Sequence, residues 1–258
     1  MLYTKLKNKT LKKHSEQMLK WTAGFLDADG SISLHIKQHS NGRYGVYLQV
    51  SICQTDTTIL YLLKDYYRIG NVSGDTWHLS GKQAHIFLNL IGKHLLIKAT
   101  HMDNILWVVG ELSGYSVKDA DDLRDYSQCS RLNSRWRHTP KHVPYAWMAG
   151  YLDGDGHYRV RIARERMYKD GSTAITNELK LFVGCAPWDS FILDKLLEDH
   201  GGSVRMRKDN CYFWQLSLGK NSRSKALPLL YKLRKYCCLP RKAEAIDSMI
   251  TFHTTRRD

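Results

Sequence analysis

The sequence predicts an α+β protein built as two pseudo-symmetric modules, each an antiparallel β-sheet saddle covered by helices, with a linker between them. Three observations predict it. A decapeptide recurs, further echoes follow it in the same order, and each copy opens onto strands that alternate apolar with polar residues. At 258 residues the chain is long enough for two modules that each bury a core.

Trp21-Thr22-Ala23-Gly24-Phe25-Leu26-Asp27-Ala28-Asp29-Gly30 returns as Trp147-Met148-Ala149-Gly150-Tyr151-Leu152-Asp153-Gly154-Asp155-Gly156, identical at seven of ten positions. Gly70-Asn71-Val72 answers to Gly202-Ser203-Val204. Trp77-His78-Leu79-Ser80 answers to Trp214-Gln215-Leu216-Ser217, and Lys98-Ala99 with Asp103 answers to Lys242-Ala243 with Asp247. Chance similarity in one decapeptide would not carry this order with it.

Within a copy, the repeated segment reads as a helix. Ser31 to Lys37 turns Ile32, Leu34 and Ile36 to one face, and Val46 to Ile52 does the same with Val46, Leu48, Val50 and Ile52. In copy two, Tyr158, Val160 and Ile162 point inward, as do Leu179, Leu181 and Val183 on the next strand. Apolar residues three and four apart predict helices over Ile59–Tyr67, Gln83–Leu96, Met102–Leu112, Phe191–His200, Ser224–Tyr236 and Ala243–Phe252. The expected division is residues 1–117 as the N-terminal module with a basic arm at 1–17, 118–143 as a polar linker, and 144–258 as the C-terminal module.

Lys and Arg outnumber Asp and Glu by 39 to 25, and the net charge of +14 is spread along the chain. That pattern suggests a folded protein with a polyanionic partner, and by itself it also suits a ribosomal protein, a membrane-surface binder or an incidental charge excess. No apolar run approaches the ~20 residues of a membrane helix, and the start lacks the apolar stretch of a secretory signal. The sequence therefore predicts a soluble, intracellular protein with no membrane partner. The six cysteines show no zinc-ligand spacing with the twelve histidines and read as reduced, mostly buried thiols.

Ala23, Gly24 and Ala28, with Ala149, Gly150 and Gly154, put small residues on two apolar helices. Packed together, such helices bring Asp29 and Asp155 to one place. Each helix C-terminus carries partial negative charge, so two added carboxylates repel each other unless a cation enters. Hard oxygen ligands favour Mg²⁺, with Mn²⁺ or Ca²⁺ able to occupy the same site. The chemistry predicted is metal-assisted phosphodiester hydrolysis.

Thr22 to Gly30 and Met148 to Gly156 resemble the two motifs of the LAGLIDADG homing endonucleases, in the arrangement of their monomeric, single-chain members. The resemblance implies that Asp29 and Asp155 bind the metal, that the carbonyls of Ala28 and Gly154 complete its shell, and that Asp27 and Asp153 are structural. It also implies that Lys98 and Lys242 shape the water network at the scissile phosphate, with Gln54 serving that network after the second strand. Copy two has Cys185 or Ala186 where Gln54 stands. Short 3′ overhangs and intron or intein mobility are the corresponding expectations, in an organelle (mitochondrion or chloroplast) or in a bacterial, archaeal or phage setting.

An antiparallel ribbon can enter the DNA major groove, where base edges are distinguishable. The outward positions are Ser33, His35, Lys37, Tyr47, Gln49 and Ser51 in copy one, and His157, Arg159, Arg161, Lys180, Arg205 and Arg207 in copy two. Their difference predicts a long, asymmetric double-stranded site. Arg124, Arg131, Arg135, Arg137, Lys141 and the N-terminal lysines are expected to touch phosphates. The competing reading is an RNA-binding splicing cofactor acting on a host intron, which would have no need of both acids.

Overall fold

The computed structural model describes residues 15–38, 40, 42, 44–112, 141–167, 169–185, 191–206, 211–217 and 223–255. Module one runs α1 (Glu16–Asp29), β1 (Gly30–Gln38), β2 (Tyr44–Cys53), α2 (Thr57–Tyr67), β3 (Asn71–Ser73), β4 (Thr76–Ser80), α3 (Lys82–Ile91), a 3-10 turn (Gly92–His94) and α4 (Ala99–Leu112). Module two repeats it as α5 (Tyr145–Asp153), β5 (His157–Met167), β6 (Thr173–Cys185), α6 (Phe191–His200), β7 (Ser203–Met206), β8 (Tyr212–Ser217), α7 (Arg223–Tyr236) and α8 (Pro240–Thr255). The sheets have the same order, β1-β2-β4-β3 and β5-β6-β8-β7, with every pairing antiparallel.

Alternation fixes which face each sheet buries. Ile32, Leu48, Val50, Ile52, Trp77 and Leu79 are buried under α2, α3 and α4, while Ser31, His35 and Lys37 stay exposed. The echoed tryptophans Trp21, Trp77, Trp147 and Trp214 are among the largest fully buried side chains, which is why the repeat keeps them. Trp77 Nε1 donates to the Ile69 carbonyl, and Trp214 Nε1 donates to the Gly201 carbonyl. Gly70 and Gly202 precede those hairpins at φ 78° and 96°, where an added Cβ would lie 2.4 Å from Trp77 Nε1 or the Gln215 carbonyl.

Several sequence expectations are corrected. The first helix begins at Glu16 behind the cap Ser15, so it takes the last residues assigned to the basic arm; residues 1–14 lie outside the described ones. The helix expected over Gln83–Leu96 stops at Ile91 and tightens into the 3-10 turn, because the N–H groups of Leu96, Ile97 and Lys98 turn to the Asp27 carboxylate. In module two a register shift between Arg161 and Arg164 adds a bulge that the sequence pattern did not show. The last helix starts three residues early, at Pro240, whose missing N–H costs nothing in the first turn.

The cysteines are also less hidden than expected. Cys53 and Cys238 are exposed, Cys211 and Cys237 half-buried, and all four are free thiols. Cys53 ends an outward row of β2 beside Asp75 and Thr76, and Cys237 and Cys238 sit in the polar turn between α7 and α8. Cys129 lies outside the described residues. Among those residues no helix is long and apolar enough to cross a membrane.

Candidate active site

Among the described residues α1 packs along α5 more extensively than any other pair of helices, and the contact is backbone on backbone. A Cβ added to Gly24 would lie 2.0 Å from the Trp147 carbonyl oxygen, and one added to Gly150 would lie 1.9 Å from that of Trp21. Only glycine permits this approach. Toward the C-terminal ends, a Cβ on Gly154 would meet the Ala28 Cβ at 2.7 Å and Asp29 Oδ2 at 3.1 Å. The seam therefore sets Asp29, the last residue of α1, against the backbone that carries Asp155.

Two tryptophans cross the seam in opposite directions. Trp21 Nε1 donates to Asp153 Oδ2, and Trp147 Nε1 donates to Asp27 Oδ2, each at 2.9 Å. Asp27 also accepts from the backbone N–H groups of Leu96 (2.8 Å), Ile97 (3.2 Å) and Lys98 (2.8 Å). Asp153 accepts instead from the Cys237 thiol (2.9 Å) and the Cys238 N–H (2.8 Å). The difference follows from sequence: Pro240 stands where Leu96 does relative to the lysine, and proline has no N–H to give. Burial pushes both carboxyls up, and the donors around them offset that rise.

The outer acids live differently. Asp29 is pushed up to about 6, first by burial and then by the charge of Asp155, with Lys242, Lys98 and Arg241 pulling the other way. Asp155 is exposed. Gln54, buried at the end of β2, donates from Nε2 to Asp29 Oδ2 at 2.9 Å, and Thr55 Oγ1 donates to Gln54 Oε1. Lys98 Nζ caps α1 at the carbonyls of Leu26 and Asp27; Lys242 Nζ takes the carbonyls of Leu152 and Gly156. Burial lowers the Lys242 ammonium, with Arg241 adding to the effect. All five catalytic candidates thus belong to the two adjoining helix ends, although no counterpart of Gln54 is in place among the described residues: Ala186 lies outside them, and of Cys185 only the backbone at the end of β6 is described.

Among the described residues no three His, Cys, Asp or Glu side chains converge into a ready metal shell. The donor set nonetheless suits a hard divalent cation. Two carboxylates meet where each charge raises the cost of the other, and the main-chain oxygens of Ala28 and Gly154 belong to the same helix ends. Remaining positions would fall to water or a ligand's own oxygens.

On the outer face of module one the register aligns Ser33 with Gln49 and Ser80, His35 with Tyr47, and Ser51 with Ser31 and His78. Lys37 lies opposite Gly45. Ser31, His78 and Ser80 were missed as candidates; the alternation with Ile32, Trp77 and Leu79 was the signal that marked them. In module two, His157 pairs with Phe182, Arg159 with Lys180, and Arg161 with Glu178, which puts the first three at positions alternating with buried Tyr158. Arg205 is exposed on the edge strand β7, whereas Arg207 lies outside the described residues. So do Arg124, Arg131, Arg135 and Arg137, and Lys141 is exposed ahead of α5.

Residues 22–95 match the family described as LAGLIDADG endonuclease. The matched stretch runs from the motif in α1 through the sheet and α3, and the second motif lies beyond it, carried by the repeated fold. No curated protein sequence matches. Solved structures share the LAGLIDADG fold across nearly the whole chain. I-SmaMI bound to an uncleaved DNA target with calcium ions superimposes with a TM-score of 0.67 at 15% identity, covering 91% of this chain and 90% of that one. I-SmaMI bound to cleaved DNA gives 0.69 at 16% identity, covering 91% and 88%. I-GzeII in complex with its DNA target gives 0.65 at 16%, covering 91% and 89%. At these identities the likeness is one of fold.

Proposed function

We propose that the chain is a site-specific endonuclease that binds a long, asymmetric double-stranded DNA site as a monomer and hydrolyses both strands with a divalent metal. The observation that carries this reading is the meeting of Asp29 and Asp155 at one seam, between two sheets whose outer faces bear different side chains. The DNA complexes of I-SmaMI and I-GzeII, which share the fold, support it. Initiation of intron or intein mobility is the biological role that goes with such cutting.

A bound Mg²⁺, for which Mn²⁺ or Ca²⁺ could stand in, supplies Lewis acidity and an activated water. Asp29 and Asp155, with the carbonyls of Ala28 and Gly154, would hold it. Gln54 fixes the Asp29 carboxylate through its 2.9 Å bond, and Lys98 and Lys242 keep positive charge beside developing phosphate charge. Hydrolysis adds water across the P–O3′ bond, leaving a 5′-phosphate and a 3′-hydroxyl. A strand of nine residues such as β1 spans ~30 Å, about one turn of DNA, so two sheets cover about two turns.

The test is selection of cleaved duplexes from a randomised pool with Mg²⁺ or with EDTA. Wild type should return one asymmetric site cut on both strands only with Mg²⁺, and Asp29→Asn or Asp155→Asn should slow cutting at least about a hundredfold. No metal-dependent cutting, or full cutting by both variants, overturns the proposal.

A further inference from the structure

We propose that Trp21 and Trp147 are crossed positioning residues: each module's tryptophan holds, through the other module's buried aspartate, the lysine of that other module's half-site. The inference rests on the nuclease reading only for what the lysines do, since the hydrogen bonds stand by themselves. Trp147 Nε1 reaches Asp27 Oδ2, and the other oxygen of the same carboxylate accepts the Lys98 N–H at 2.8 Å. Asp27 and its neighbours Leu96 to Lys98 all belong to module one, whereas Trp147 belongs to module two. The mirror path runs from Trp21 to Asp153, then to Cys237 and Cys238, four residues before Lys242.

Asp27 keeps the N–H groups of Leu96, Ile97 and Lys98, and Asp153 the Cys237 thiol and Cys238 N–H, when the tryptophan is lost, but each loses its one donor from the other module, and the loss of a charge-assisted donor loosens the carboxylate. The lysine stems hang on that carboxylate. Lys98 is held at its own backbone by Asp27, and its ammonium then reaches the carbonyls of Leu26 and Asp27. Lys242 is set less directly, because Pro240 replaces the donor that Leu96 supplies in module one. Each half-site therefore takes one of its donors from the other module, and Lys98, held at its own N–H, is coupled to its crossing more directly than Lys242, which is reached through Cys237 and Cys238.

The experiment is amine acetylation of the metal-free, DNA-free protein, read at Lys98 and Lys242 by peptide mass spectrometry, in wild type, Trp21→Phe and Trp147→Phe. Phenylalanine keeps a ring and loses the N–H. Trp147→Phe should raise the labelling rate of Lys98 about threefold or more while Lys242 stays near wild type, and Trp21→Phe should do the converse to a smaller extent. A rise at the lysine of the substituted module, an equal rise at both, or no rise overturns the proposal. Should a tryptophan variant not fold, Cys237→Ala decides: it should expose Lys242 and spare Lys98, with Cys237→Ser restoring protection, and an unchanged Lys242 overturns the proposal. Because no DNA is needed, failure here is distinct from failure to find a cleaved site.

Discussion

Asp27 and Asp29 stand two residues apart on one helix, and their surroundings give substitutions there opposite consequences. Four N–H groups point at the Asp27 carboxylate. Asp27→Ala leaves them buried without an acceptor, which costs about 3 kcal/mol or more. At ~2–4 °C per kcal/mol for a chain of this size, thermal unfolding should move down by several degrees. Asp29 faces another carboxylate and is raised from 3.8 to about 6. Between those pH values the folded protein keeps a proton that the unfolded chain has released. Stability therefore falls as pH rises through that window and stays lower above it. Asp29→Asn should unfold at a higher temperature than wild type at pH 8 without metal, and the gap should close near pH 4. Adding Mg²⁺ at pH 8 should raise the wild type and leave the variant still. Equal melting curves at pH 8 without metal would show that neither burial nor the neighbouring acid burdens the Asp29 charge.

At the scale of elements, the helix seam gives the sharpest contrast. Gly24→Ala improves the intrinsic helix propensity of α1 by ~1 kcal/mol, yet its methyl would lie 2.0 Å from the Trp147 carbonyl. The clash is with backbone and has no rotamer to relieve it, so the variant should lose stability despite the better propensity. Gly110→Ala on α4 meets nothing within 4 Å and should gain up to ~1 kcal/mol. Denaturant midpoints of the two variants check both signs, and a stabilised Gly24→Ala would mean that the helices do not touch here. The seam and its acids were legible in the sequence because they occur twice. The end of α3 was not, since Leu95, Leu96 and Ile97 continue the apolar pattern while the backbone donors of Leu96 and Ile97 are drawn to an acid about 70 residues upstream. Nor were the tryptophan crossings, whose partners lie 120 and 132 residues apart. The outer sheet face was partly legible: alternation marked Ser33 and Gln49, and also marks Ser80 as outward, but only the pairing shows that Ser80 shares their row.

For the whole molecule, two sheets with one order and different outer residues imply a duplex site without dyad symmetry. Perfect palindromes returned from a randomised pool would contradict this. The net charge of +14 predicts that binding is dominated by phosphate contacts. With about six such contacts, affinity for any duplex should fall on the order of a thousandfold between 50 and 200 mM salt, while the ranking of sites changes little. Fluorescence anisotropy across that range measures it, and a flat salt response would remove the electrostatic basis of the DNA reading. The core is continuous from one module to the other through α1 and α5, so neither half has a finished surface alone.

The glycine contacts of the seam also act as a ruler. Because carbonyl oxygen meets glycine on both sides, there is no side chain there whose repacking could lengthen or shorten the gap. The spacing of the two helix backbones is then a property of van der Waals radii where glycine meets carbonyl oxygen. On the proposed nuclease reading, exchanging residues of β1, β2, β5 and β6 should change which bases are preferred while the spacing of the two helix backbones stays constant.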